Sequence, residues 1–137
     1  MNKRTIVIIF LLTVGLIINT GCIENKVTNT WGEKNISIDA LKVSDTTKGV
    51  RNERNDSIYY VYGNITNQNP YDAFKVKINI TVYYSNGTIF AVNQTPYLNP
   101  KSIPAKGNSY FYARFVDPTK QIARYEVKIL DAKAEYL

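Results

Sequence analysis

Apolar and polar residues alternate between Phe74 and Thr81 and on to Val82. Phe74, Val76, Ile78, Ile80 and Val82 fall on one side, and Lys75, Lys77, Asn79 and Thr81 on the other. A period of two predicts a long strand with one buried and one solvated face. Ser85-Asn86-Gly87 follows, and its Asn-Gly pair is a strong hairpin signal, so a second strand is expected over 88–92. The same alternation, bounded by Gly, Pro and Asn clusters, predicts strands over 36–43, 57–66, 109–116 and 124–132. In 109–116, Phe111, Ala113 and Phe115 face one way and Tyr110, Tyr112 and Arg114 the other. In 36–43 the phase shifts from Ile36 and Ile38 to Leu41 and Val43, which predicts a bulge near Asp39-Ala40. No segment carries a helical stripe, and short strands at roughly ten-residue spacing predict an all-β sandwich. The connections 44–56 and 93–108 lack a core pattern, and Pro96, Pro100 and Pro104 bar the second from a central strand. Loops of that length are functional or mobile.

The start of the chain follows another pattern. Lys3 and Arg4 precede an uncharged run from Thr5 to Ile18, then Asn19-Thr20-Gly21-Cys22. As a helix that run rises only about 21 Å, short of the roughly 30 Å hydrocarbon core, so residues 1–21 read as a secretory signal peptide. Cys22 is the only cysteine and has no partner for an internal disulfide. Gly21 and Thr20 before it resemble the lipobox of prokaryotic lipoproteins, although Asn19 stands where that pattern has an aliphatic residue. The resemblance implies a lipid attached at Cys22, whose acyl chains anchor the protein. The alternative is an uncleaved signal anchor with Cys22 incidental. Either reading places the domain on the extracytoplasmic face of the cell membrane. Residues 22–34, polar and aperiodic and carrying Trp31, read as a tether, and residues 35–137 as the domain.

Beyond the signal, fifteen basic residues stand against eleven acidic ones, a formal charge of +4. The basic residues are scattered, whereas a nucleic-acid footprint gathers them on one face, so no nucleic-acid partner is expected. Asn35, Asn55, Asn64, Asn79, Asn86 and Asn93 each begin an Asn-x-Ser/Thr sequon, which suits a glycosylated surface protein. An asparagine-rich composition produces such sequons equally well. The chain has no His, which removes the usual general base and the commonest metal ligand. No Gly-x-Ser-x-Gly elbow or Ser-x-x-Lys pattern marks a nucleophile, and the acids are spread thinly. Asp45, Asp56, Asp72 and Asp117 sit in loops without an Asp-x-Asp-x-Asp run, so neither a metal site nor a cofactor is expected. Tyrosine is the excess, eleven in all, and Tyr59, Tyr83, Tyr97, Tyr110 and Tyr112 are candidates for an outward face or loop. Exposed aromatics can stack on sugar rings or anchor a protein. Tyrosines also serve simply as half-buried strand residues.

Gly63-Asn64-Ile65-Thr66-Asn67, Ala73 leading into the long strand, Val82-Tyr83-Tyr84-Ser85-Asn86-Gly87, and Pro104-Ala105-Lys106-Gly107 before an aromatic strand together resemble the FxLYD domain. The resemblance covers about residues 58–130, and the naming motif appears here as Ile80-Thr81-Val82-Tyr83-Tyr84, with Tyr83 alone unchanged. It implies an immunoglobulin-like antiparallel β-sandwich of about seven strands. Such domains are common in prokaryotic envelope lipoproteins and bring no catalytic residue with them. Gly63 is expected at a close backbone approach or a bulge, Asn67 bonded across the Asn69-Pro70 turn, and Gly87 at positive φ. The expected protein is a non-enzymatic, membrane-anchored binding or scaffolding module, its partner another envelope protein or a glycan. A glycan module would use the tyrosines, and a purely structural protein would pair through a sheet edge.

Overall fold

The computed structural model describes residues 32–136, so the expected signal segment, Cys22 and Trp31 lie outside the described residues. The strands are β1 (Gly32–Asn35), β2 (Leu41–Val43), β3 (Lys48–Arg51), β4 (Ile58–Asn67), β5 (Phe74–Tyr83), β6 (Ile89–Asn93), β7 (Tyr97–Asn99), β8 (Asn108–Val116) and β9 (Arg124–Tyr136). They form two antiparallel sheets. The first runs β1-β9-β5-β6; in the second, β4 carries β2 and β3 end to end along one edge, with β8 and then β7 on its other side. Pairing β4 with β8 and β5 with β9 is the immunoglobulin-like wiring, with β2/β3, β4, β8 and β7 in the places of strands A, B, E and D. β5 and β9 take the places of C and F, and β1 fills part of the slot of the last strand, G.

Nine strands exceed the expected number because short edge pieces formed where loops were anticipated. β3 lies inside 44–56 and β7 inside 93–108, where Pro96 and Pro100 flank it; as an edge strand β7 needs donors on one side only. The phase shift at Asp39-Ala40 is no bulge. Residues Ile38–Ala40 form a 3-10 turn that carries the chain from β1 in the first sheet to β2 in the second. Gly32, Glu33 and Lys34, expected in the tether, pair with β9 instead, so the domain starts earlier than its sequence pattern indicates.

The core lies between the sheets. Val61 and Ile65 of β4 and Phe111, Ala113 and Phe115 of β8 meet Ile78, Ile80 and Val82 of β5 and Ala132 and Ala134 of β9. These are the inward members of the alternation, and burying a Val, Ile or Phe stabilises by about 1.5–3 kcal/mol each before entropy is counted. Buried Asn67 ties the turn beneath the sandwich. Its Nδ2 donates to the carbonyls of Tyr71 at 2.7 Å and Ile103 at 3.1 Å, while its Oδ1 accepts from the Asn69 amide at 3.0 Å. A Cβ at Gly63 would come within 3.0 Å of the Thr47 Cβ and 3.1 Å of its Cα, so of the two expected roles, close approach or bulge, this glycine serves the close approach. Gly87, at φ +86°, closes the β5–β6 hairpin as expected.

A candidate ligand-binding face of tyrosines

Alternation that buries Val61, Ile65 and Phe111 must turn the intervening residues of β4 and β8 outward. On β4 these are Tyr60, Tyr62, Asn64 and Thr66; on β8 they are Tyr110, Tyr112 and Arg114. Register brings them together: Tyr62 lies opposite Tyr112, Asn64 opposite Tyr110, and Tyr60 opposite Arg114. β7 sets Tyr97 beside Tyr112 and Asn99 beside Tyr110, and β3 sets Val50 beside Tyr60 and Lys48 beside Tyr62.

Five tyrosines therefore share one solvated face of the second sheet. Tyr112 sits at the centre, its ring 4.9 Å from Tyr97, 6.2 Å from Tyr110 and 6.4 Å from Tyr60. The Tyr60 contact is edge-on at 68° and the Tyr97 contact is tilted at 32°. Both lie in the attractive range for aromatic pairs, which holds the rings in a fixed relief. Tyr97, Tyr110 and Tyr112 remain 48, 41 and 37% exposed, while Val50, Tyr60, Tyr62, Tyr110 and Tyr112 line a shallow depression of about 320 Å³. Partial burial, and then the neighbouring Tyr62, Tyr112 and Tyr97, push the Tyr110 hydroxyl above its ordinary pKa. It stays a neutral donor and acceptor at physiological pH. Asn64, Asn99, Arg114 and Lys48 supply amide, guanidinium and ammonium groups around the rings.

Of the tyrosines singled out from the sequence, Tyr97, Tyr110 and Tyr112 come together here. Tyr59 does not: it points into the core at 9% exposure, where burial raises its pKa and Arg51 lies 5.5 Å from its ring. Apolar residues on both faces of 58–62 obscured the phase, although Tyr59 shares the parity of Val61 and Ile65, which points it inward. Tyr60 and Tyr62 are the members missed. Tyr83 faces out of the first sheet instead, with the Arg124 guanidinium 3.8 Å from its ring centre.

No protein-family model, curated protein or solved structure matches this chain.

The sequons are spread over the domain. Asn64 lies on the tyrosine face and Asn79 on the outer face of β5, while Asn35, Asn55, Asn86 and Asn93 sit at strand ends and turns. At Asn55, Asn86 and Asn93 the side-chain oxygen accepts the amide of the sequon's own Ser or Thr, at 3.2, 3.0 and 2.9 Å. Three of the four loop acids are engaged separately. Asp117 pairs with Arg51, Asp56 with Lys120, and Asp72 accepts the Ala105 amide at 2.8 Å. Among the described residues no group of three or more His, Cys, Asp or Glu gathers at one point. A cleft of about 530 Å³ beside β5 is lined by Val76, Ile78, Pro96, Leu98 and Leu130, with Lys77 its one charged residue. Asp72 and Glu135 line a second cleft, of about 360 Å³, together with Tyr71 and Phe74.

Proposed function

We propose that this chain is a non-enzymatic, FxLYD-like module of the extracytoplasmic membrane face, anchored through Cys22, that binds saccharide on the face built by Tyr60, Tyr62, Tyr97, Tyr110 and Tyr112. The observation that carries the reading is the sorting of the tyrosines. The inner faces of β4 and β8 carry Val61, Ile65, Phe111 and Phe115, and the outer faces of the same strands collect aromatics in water. Exposed contiguous aromatic surface favours self-association, so a fold that keeps it gains from a partner that covers it. A sugar ring offers an apolar C–H face to stack on an aromatic ring and hydroxyls at its rim. The ring of Asn64, Asn99, Arg114 and Lys48 matches that rim with donors and acceptors. The shallow relief favours an extended polymer over a small molecule enclosed in a pocket. The absence of His and the separate engagement of Asp117, Asp56 and Asp72 support binding without turnover.

Affinity electrophoresis tests the reading. The full chain in detergent is run through gels cast with polysaccharide extracted from the envelope of its own cells. Wild type is expected to be retarded, and Tyr112→Ala, which removes the central ring, to lose about tenfold in affinity, since a stacked aromatic contributes about 1–3 kcal/mol. Both Tyr112 and Tyr110 are solvent-facing, so these substitutions leave the fold intact. Free migration of wild type, or retardation of Tyr112→Ala and Tyr110→Ala as strong as that of wild type, overturns saccharide binding at this face.

A further inference from the structure

The first sheet is incomplete along β9. Strand β1 pairs only with the far end of β9, from Lys133 to Tyr136, with one further bond from the Ile36 amide to the Ala132 carbonyl. Among the described residues nothing pairs with the outer edge of β9 from Arg124 to Leu130, the rest of the slot that a full G strand would fill. The core registers the gap. Ile78, Ile80 and Val82 of β5 are 3, 0 and 0% exposed, yet their cross-strand partners Ile129, Val127 and Tyr125, at the same level of the sandwich, are only half-buried. Inward-facing apolar side chains beside an open edge are what a strand docking there would cover.

We propose that this edge pairs with the same edge of a second copy of the chain, antiparallel about a two-fold axis through Val127, joining the two first sheets into one continuous sheet. The occupant is read from the edge itself, Arg124-Tyr125-Glu126-Val127-Lys128-Ile129-Leu130, which is self-complementary in that register. Val127 faces Val127, Tyr125 faces Ile129, and Glu126 faces Lys128 of the second copy, twice. Other registers fail on physical grounds. A shift that moves the axis by one residue places Glu126 opposite Glu126 or Lys128 opposite Lys128, and like charges directly opposite destabilise a pair. A register lying between residues sets outward side chains against inward ones. Leu130, which has no partner on β5 because Ile78 pairs with Ile129 and Lys77 with Asp131, marks the end of the regular edge. Glu126 and Lys128 are exposed and already 3.7 Å apart within one chain, so across a two-fold they form a four-charge cluster of alternating sign. The pairing is a property of the first sheet and leaves the outer face of the second sheet uncovered in both copies.

Sedimentation velocity on the full chain in density-matched detergent tests the proposal, with Glu126→Lys, Lys128→Glu and the double exchange Glu126→Lys/Lys128→Glu. Wild type is expected to form a reversible dimer. Each single reversal turns both cross-strand contacts repulsive and is expected to weaken association at least about tenfold, and the double exchange restores it. Both residues changed are solvent-facing, and thermal melts confirm that each variant stays folded. A monomer at every concentration up to about 1 mM, a dimer indifferent to both single reversals, or a double exchange that fails to recover the dimer overturns the pairing. A complex with a polypeptide other than this chain at the same edge also overturns it.

Discussion

Asp117 is fully buried and still charged, and three donors make this possible. Arg51 Nη2 donates to Oδ2 at 2.6 Å, the Ile122 amide donates to the same oxygen at 2.9 Å, and the Gln121 amide donates to Oδ1 at 2.8 Å. Burial alone would raise the carboxyl pKa, but the two amides and the guanidinium outweigh it and hold it below the ordinary value. Because the folded pKa is depressed, the unfolded chain takes up the proton first as pH falls. The stabilisation is therefore complete above the unfolded carboxyl pKa of about 4 and is lost as pH drops through the lower folded value. Asp117→Asn keeps the shape but replaces one acceptor oxygen with a donor facing donors. It is expected to cost about 2–4 kcal/mol at pH 7, toward the low end because Arg51 is a quarter exposed, and to flatten the acid limb of stability. Urea denaturation at pH 7 and pH 3 measures both, and a variant that loses as much stability on acidification as wild type contradicts the assignment. A residue that looked from sequence like a loose loop carboxylate is the pin that joins β3 to the turn before β9.

Strands were legible wherever one face is apolar and the other polar. β5 is the clearest case: Ile78 is 3% exposed and Lys77 beside it faces water, as the alternation demands. Ile78→Asp places an unpaired charge in the core and is expected to leave the domain unfolded at 25 °C, whereas Lys77→Asp is expected to change stability by less than about 1 kcal/mol. Circular dichroism melts of the two variants decide it, and equal tolerance of both removes the basis for the face assignment. Where both faces carry apolar groups the signal weakens. Residues 58–62 are Ile-Tyr-Tyr-Val-Tyr, and local alternation does not tell the core tyrosine, Tyr59, from the solvated Tyr60 and Tyr62. The register with β8 settles it, because Tyr62 must share a face with Tyr112. β3 and β7 left no trace for a different reason. Four- and three-residue edge strands bury little of their own, and their neighbours' open backbone groups, which no local pattern encodes, recruit them. The candidate site spans both situations: Tyr97, Tyr110 and Tyr112 stand out in the sequence as exposed tyrosines, while Tyr60 and Tyr62 are brought to the same face by the pairing of β4 with β8.

At the scale of the molecule, both ends of the described chain meet in one ladder. Gly32 lies opposite Tyr136, so β1 covers only the far end of β9, and it enters the domain beside the last residues of that strand. With Gly32 inside the sheet, the segment between Cys22 and the domain shortens to residues 23–31, which reach at most about 32 Å even fully extended. Anchoring at Cys22, which is part of the proposed function, would then hold the domain close to the bilayer and confine its partners to the envelope layer within that reach. In the proposed anchoring, two acyl chains on Cys22 would suffice for stable membrane residence once the segment before it is cleaved. Cys22→Ser is therefore expected to move the protein from the membrane pellet to the soluble extracytoplasmic fraction, or to stall it uncleaved, with the lipid-sized mass increment gone in either case. Intact-mass spectrometry of the membrane and soluble fractions reads both outcomes. A variant retained in the membrane at the same mass as wild type, beginning at Met1, would replace the lipid with an uncleaved signal anchor, and the reach would then be measured from the end of that hydrophobic segment instead.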